Sequence, residues 1–402
     1  MKSIIILGDG MADEPVAELG GLTPLQYART PSMDRLAALG CNGLLHTIPS
    51  GFHPGSEVAN IAILGYDLNK VFEGRGSLEA ASIGVDLQKG DMAMRCNMVC
   101  INGGLMRSHT SGHISTAEAA QLIASLNDSL GSDTARFYPG VSYRHLLVVK
   151  GGDKRINCTP PHDVPMQNVG PLMPRPLHPE ADYTAGMLNE LIIRSQEILP
   201  SHPVNLQRIA EGKLPANSIW PWSPGYRPNM QTMQELYGIN GGAVISAVDL
   251  IRGIGVYAGL VNIPVEGATG LYDTNYEGKA AAAIEALNRY DFVYLHVEAP
   301  DEAGHEGNVQ LKIKTIEDLD QRLLNPICNA LADSANPVAI AVLPDHPTPC
   351  AVKTHTSQPV PFLICKPGNR PDSVVKFNEV DALHGSYGLI SGNSFINHLI
   401  KQ

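Results

Sequence analysis

Aromatic residues are scarce in this chain, at 5%, and charged residues reach only 17%. With 44% hydrophobic residues, neither shortage moves it out of the range of ordinary soluble globular proteins. Positive charge is in the minority. There are 29 Lys and Arg against 40 Asp and Glu, a formal net charge of −11. That argues against nonspecific binding to nucleic acid or an anionic membrane surface, although a local basic pocket for a small anion remains compatible with it. No apolar run is long enough to span a bilayer. The start, Met1-Lys2-Ser3-Ile4, runs straight into a strand-like segment without a signal peptide. The seven cysteines are odd in number, scattered and without C-x-x-C pairs, which reads as reduced cytosolic thiols. A cytoplasmic enzyme is the expectation.

What the chain does have is length. Its 402 residues allow one large core and a second, smaller domain. With 39 Gly and 30 Pro, long shaped loops are expected. Ile4-Ile5-Ile6-Leu7 is a short apolar run ending in Gly8-Asp9-Gly10, the pattern of a buried parallel strand that delivers an acid into a loop. The same pattern recurs at Phe292–Val297, before Asp301, and at Val338–Leu343, before Asp345 and His346. Pro361–Ile364 is another short buried run, with His355 just upstream. Helical spacing is predicted over Glu277–Asn288, Asn308–Leu331 and Leu389–Ile400. Strands alternating with helices imply an α/β core with a mostly parallel sheet and helices on both faces.

The middle of the chain reads differently. Met94–Ile101, Thr116–Leu126 and Tyr143–Lys150 look like strand, helix and strand. The proline-dense stretch Cys158–Pro179 looks like a linker or extended loop, and helical spacing resumes at Tyr183–Leu199. The expected organisation is a core of 1–77 and 183–402 with a smaller α+β domain, 78–182, inserted into it.

Three acids at or just past strand ends, Asp9, Asp301 and Asp345, stand with three histidines in Asp301-x-x-x-His305, Asp345-His346 and Lys353-Thr354-His355. Taken singly, such an acid reads as a helix cap or turn residue, and such a histidine as packed or solvated. Together they form a mixed carboxylate and imidazole set suited to Mn, Zn or Mg ions. In Pro54-Gly55-Ser56-Glu57-Val58, Ser56 falls at the start of an apolar helix, where backbone N–H groups favour an anion. Alone it reads as a plain N-cap. No histidine stands in a serine-protease-like context, so activation of Ser56 as a nucleophile would fall to metal ions.

These segments, in this order, resemble the cofactor-independent phosphoglycerate mutases of the archaeal type, within the alkaline phosphatase superfamily. The resemblance is carried by Gly8–Gly10, Pro54–Tyr66, Phe72–Ala81, Arg95-Cys96-Asn97, Ala299–His305, Leu343–Pro349 and His355–Pro361, and it covers nearly the whole chain. It implies an alkaline-phosphatase-like core with an inserted substrate-binding lid. It also implies two divalent ions and no bisphosphoglycerate. One ion would be held by Asp9, Ser56, Asp345 and His346, the other by Asp301, His305 and His355. Ser56 would attack in line and become phosphoserine. Arg75, Arg95, Asn97 and Arg144 are the candidates for gripping a small phosphorylated substrate, because arginine offers a bidentate fork to anions.

One segment departs from the family. Where the mutases carry a pattern resembling D-R-x-A-G-R, this chain reads Ser108-His109-Thr110-Ser111-Gly112-His113. Neutral histidines do not replace fixed guanidinium charge at pH 7, so Arg107 and Arg136 become the expected substitutes. The departure also opens a homoserine kinase reading, whose zwitterionic acceptor needs less anion binding. A phosphomonoesterase or sulfatase would have no need of such a lid. A non-catalytic metal binder is disfavoured by the intact ligand set.

Overall fold

A computed structural model describes residues 1–332 and 337–401. The chain divides into two compact units, Met1–Phe72 with Asn229–Gln402, and Glu73–Pro228.

The first unit is built on an eight-stranded sheet. Its strands are β1 (Lys2–Gly8), β2 (Cys41–His46), β3 (Gly242–Ile245), β4 (Val261–Asn262), β5 (Phe292–Val297), β6 (Val338–Leu343), β7 (Val360–Cys365) and β8 (Gly388–Ser391). Their spatial order is β4-β3-β5-β1-β6-β7-β2-β8. Only β7 pairs antiparallel, with β6 and β2 on either side. Central β1 lies parallel between β5 and β6. Its side chains Ile4 to Leu7 are fully buried, as expected for a parallel strand covered on both faces.

Alternate residues of a strand point to opposite faces. Ile4, Ile6, Val293 and Leu295 pack on one face with Ala280, Ala283, Ile316 and Ile327 from the helices there. Helix α1 (Ser56–Ile63) lies toward the opposite face: its Asn60 accepts a hydrogen bond from Tyr294 of β5. On this side Gly255, in the helix Asp249–Tyr257, packs directly against Val244 of β3. Among the described residues no helix is long and apolar enough to cross a membrane.

Three sequence expectations change in detail. Leu389–Ser391 is strand, drawn into the sheet by parallel pairing with β2, and the terminal helix begins only at Gly392. The helical stretch after Asn308 is interrupted by a π segment at Leu319–Leu324. The second unit also starts earlier and ends later than 78–182. Its sheet centres on Asp91–Asn102, which pairs with Arg144–Lys150 on one side and with Ser218–Tyr226 on the other, all antiparallel. The helix Asp182–Ile198 packs there too, through Ala185, Leu188 and Ile192. Long-range pairing by 218–226 is invisible to a proline-based boundary, and it carries 183–228 into this unit. At the other end, Arg75 and Gly76 begin a helix of the same unit.

Candidate active site

β1 ends at Gly8, and the chain turns through Asp9 and Gly10. Gly10 has φ +59°, and a Cβ there would lie 2.5 Å from Asp301 Oδ1 and 2.8 Å from Asp301 Cα, so glycine alone fits this turn. Because β6 is the parallel neighbour of β1, its end delivers Asp345 and His346 beside Asp9. The two loops are tied together. Met11 and Ala12 form bridges to Pro347. Buried Lys312 donates to the carbonyls of Ala12 at 3.1 Å and Thr348 at 2.8 Å, and to the Asp13 carboxylate at 2.7 Å. Removing one partner from such a buried ion pair costs about 3–5 kcal/mol.

Asp9, Asp345 and His346 are fully buried, with ligand atoms within 4.8 Å of one another. His346 Nε2 lies 3.5 Å from Asp9 Oδ1, 3.5 Å from Asp345 Oδ2 and 3.1 Å from Ser56 Oγ. Its ring orientation follows from Thr348. That hydroxyl donates to Asp301 Oδ1 and lies 3.3 Å from His346 Nδ1, so it accepts the Nδ1 proton. The Nε2 lone pair is left facing the carboxylates and Ser56.

Ser56 is the first residue of α1, but the capping position belongs to Gly55, and no side-chain cap bond is made there. The plain-cap reading therefore fails for Ser56. Its hydroxyl meets His346, 290 residues away, at a helix start whose first N–H groups favour an anion.

Asp301 does not end a strand. It is the third residue of the helix Ala299–Glu306, and His305 follows one turn later on the same helix face. His305 Nε2 and His355 Nε2 approach Asp301 at 3.2 and 3.4 Å, and the two nitrogens stand 3.0 Å apart. His305 Nδ1 is 3.1 Å from the carbonyl of Lys353, to which it donates, so once Nε2 gives up its proton the lone pair there faces His355 and Asp301.

The electrostatics fit cations at both places. Burial, with Asp345, Glu298 and Asp301 nearby, pushes the Asp9 carboxyl well above its usual range. Asp9 Oδ1 is buried without a hydrogen-bond partner. Glu298 is raised to about 8, first by burial and then by Asp301. Burial also raises Asp301, but hydrogen bonds from His305 and His355 outweigh it and hold that carboxyl low. His305 is correspondingly raised to about 9 by its bond to Asp301. Burial lowers His346. Four carboxylates crowded together, lone pairs facing inward and an orphaned carboxylate oxygen suit divalent ions.

All seven ligand candidates, Ser56 among them, thus converge in the first unit. Sequence reasoning assigned no role to Asn60, Tyr294, His296, Glu298, Lys312 or Thr348, which brace them. Tyr294 and His296 sit inside an apolar run whose periodicity marks them only as core.

The substrate candidates lie in the second unit. Arg95 and Asn97 share one face of Asp91–Asn102, and Arg144 pairs opposite Asn97. The Arg95 guanidinium stacks on Trp222 at 4.4 Å and meets Glu79 at 3.2 Å. Burial, partly offset by Glu79, lowers its pKa, and Arg75 and Arg144 add to the lowering. Asn97 is buried. Its carbonyl oxygen accepts from Trp222 Nε1 at 3.0 Å, and its amide donates to the carbonyl of His109 at 3.3 Å. It therefore braces the patch from within. His109 and His162 complete the cluster, with His162 edge-on to Trp222 at 5.2 Å. The expected substitutes go elsewhere: Arg107 contacts Met166, and Arg136 lies over Tyr138. His162, inside the proline-dense stretch, carried no sequence signal.

Comparison with known proteins agrees in sequence and in structure. Residues 37–205 match the family model described as 2,3-bisphosphoglycerate-independent phosphoglycerate mutase. A protein of that name from Methanosarcina acetivorans is 51% identical over 404 residues, covering 100% of both chains. The solved structure of a Pyrococcus horikoshii protein superposes with a TM-score of 0.84 at 32% identity, covering 99% of this chain and 96% of that one. The cofactor-independent phosphoglycerate mutase from Thermoplasma acidophilum superposes with a TM-score of 0.70 at 28% identity, covering 100% and 99%. Full-length identity of this order, with the same α/β architecture, places the chain in the 2,3-bisphosphoglycerate-independent phosphoglycerate mutase family of isomerases.

Proposed function

We propose that this protein interconverts 2- and 3-phosphoglycerate in the cytoplasm, without bisphosphoglycerate, through a phosphoserine at Ser56. The observation that carries the mechanism is the meeting of Ser56 Oγ with His346 Nε2 beside Asp9 and Asp345. Asp9, Ser56, Asp345 and His346 would hold one divalent ion, and Asp301, His305 and His355 the other. Such ions, Mn, Zn or Mg, lower the pKa of a bound hydroxyl and neutralise phosphoryl oxygens. The first turn of α1 offers backbone N–H groups to the phosphate. Ser56 takes the phosphoryl group from one hydroxyl of the substrate and returns it to the neighbouring one.

Arg75, Arg95 and Arg144 are assigned to the anionic ends of the substrate, with Asn97 bracing Arg95 through Trp222. His109 and His162 stand near this patch. Burial lowers both histidines, so at neutral pH the three guanidiniums supply its charge. Full-length relatives named as mutases favour this reading over a homoserine kinase.

The test is to incubate the manganese-loaded protein with 3-phosphoglycerate, and separately with ATP and homoserine, and follow products by phosphorus NMR. Appearance of 2-phosphoglycerate, with the phosphate trapped on the Ser56 peptide in mass spectrometry, is the expected result. ATP-dependent phosphohomoserine with no interconversion would overturn the mutase.

A further inference from the structure

Tyr294 and His296 are alternate residues of β5 and point to the same face of the sheet. Both are buried, His296 completely. Each reaches one carboxylate of the candidate metal site by a separate route.

His296 Nε2 lies 2.8 Å from Asp9 Oδ2, and its Nδ1 lies 3.1 Å from Ser246 Oγ. An ionised Asp9 only accepts, so Nε2 carries the ring proton, and Ser246 Oγ, which accepts the N–H of Val248 at 3.0 Å, donates its own proton to Nδ1. The imidazole is thereby fixed as the Nε2–H tautomer and donates to Asp9. Lys279 Nζ holds the His296 carbonyl at 3.1 Å. With Oδ2 occupied, Asp9 presents Oδ1, the buried atom that has no hydrogen-bond partner.

Tyr294 works through Asn60. Its hydroxyl donates to Asn60 Oδ1. The Asn60 amide then donates to Asp345 Oδ2 at 2.9 Å and to the carbonyl of Ser56 at 2.8 Å. One strand face therefore sets the direction of both carboxylates and of the peptide that carries Ser56.

We propose that Tyr294 and His296 are positioning residues for the half of the site formed by Asp9, Ser56, Asp345 and His346. This rests on reading those four residues as metal ligands. The roles are specific: His296 selects which oxygen of Asp9 faces the ion, and Tyr294 fixes Asp345 and Ser56 as a pair.

Binding of Mn2+ alone, followed by equilibrium dialysis and electron paramagnetic resonance, tests this without any turnover. Wild type is expected to bind two ions. His296→Leu should weaken one of them by about 10–100-fold and leave the other unchanged. His296→Gln, whose amide places an N–H near the position of Nε2, should recover most of that loss. Tyr294→Phe removes one oxygen and should weaken the same ion several-fold. Melting of the metal-free variants by circular dichroism identifies any that fail to fold, and the isosteric Tyr294→Phe then decides. Two ions bound by wild type, with unchanged affinities in folded His296→Leu and Tyr294→Phe, would overturn the positioning role. A wild type that binds no manganese would overturn the ligand reading beneath it.

Discussion

The two halves of the candidate site are built in different ways. In the inner half Asp9, Asp345 and His346 are 0% exposed, and their orientations are set by groups from the sheet and α1. In the outer half the side chains of His305 and His355 remain 35% and 21% exposed, and they come from a helix and a loop. Protein hydrogen bonds alone hold the inner half in place: His296 on Asp9, Asn60 on Asp345 and Thr348 on His346. In the outer half two imidazole nitrogens stand 3.0 Å apart, which is stable only with a proton or a cation between them. Burial thus separates a preorganised position, suited to holding the nucleophile, from one open to exchange.

The largest effect expected is on turnover. Ser56→Ala should lower activity by on the order of 10,000-fold or more, while the protein stays folded and the outer half keeps its affinity for manganese. Steady-state kinetics with metal analysis checks this. Substantial residual mutase activity would remove Ser56 from the chemistry.

Next come the ligands themselves. Asp345→Asn should abolish high-affinity binding in the inner half, and His305→Ala should weaken only the outer ion, by about 10–100-fold. Chelation of the wild type should proceed in two phases, the faster one belonging to the outer half. A single phase, with equal losses in both variants, would erase the distinction drawn between the halves.

The pH dependence should also divide them. His305 in the metal-free protein is raised to about 9 by its bond to Asp301, so at neutral pH it is protonated and an incoming ion must displace that proton. Affinity in the outer half should therefore rise with pH, about tenfold per unit, until it levels off near 9. His346, lowered by burial, holds no such proton. Titration calorimetry in buffers of different ionisation enthalpy would count the protons released, and pH-independent binding in the outer half would contradict the assignment.

The smallest effect concerns Thr348, whose hydroxyl links Asp301 to His346. Thr348→Val should loosen manganese binding only several-fold, and in both halves, because it frees one oxygen of Asp301 and one ring orientation of His346. An effect confined to one half would show that the hydroxyl serves that half alone.

Much of this was legible before the structure. Apolar runs ending in acids mark β1, β5 and β6, because a strand buried on both faces must be continuously hydrophobic, and loops after parallel strands collect polar ligands. Asp9, Asp301, His305, Asp345, His346 and His355 stood out as polar residues following such runs, and Ser56 as a polar residue opening an apolar helix. Tertiary structure alone decided the rest. That Ser56 meets His346 across 290 residues of chain follows from where α1 lands against the ends of β1 and β6. That Tyr294 and His296 brace ligands, when their apolar strand marks them as packing, depends on which strands became neighbours. The extent of the second unit depended on the pairing of Ser218–Tyr226 with Asp91–Asn102, a non-local contact that leaves no periodic trace. Sequence patterns report the polarity of a residue's own surroundings. The identity of its partner across the fold is set by topology, and a hydrogen bond or ligand geometry exists only once that partner is in place.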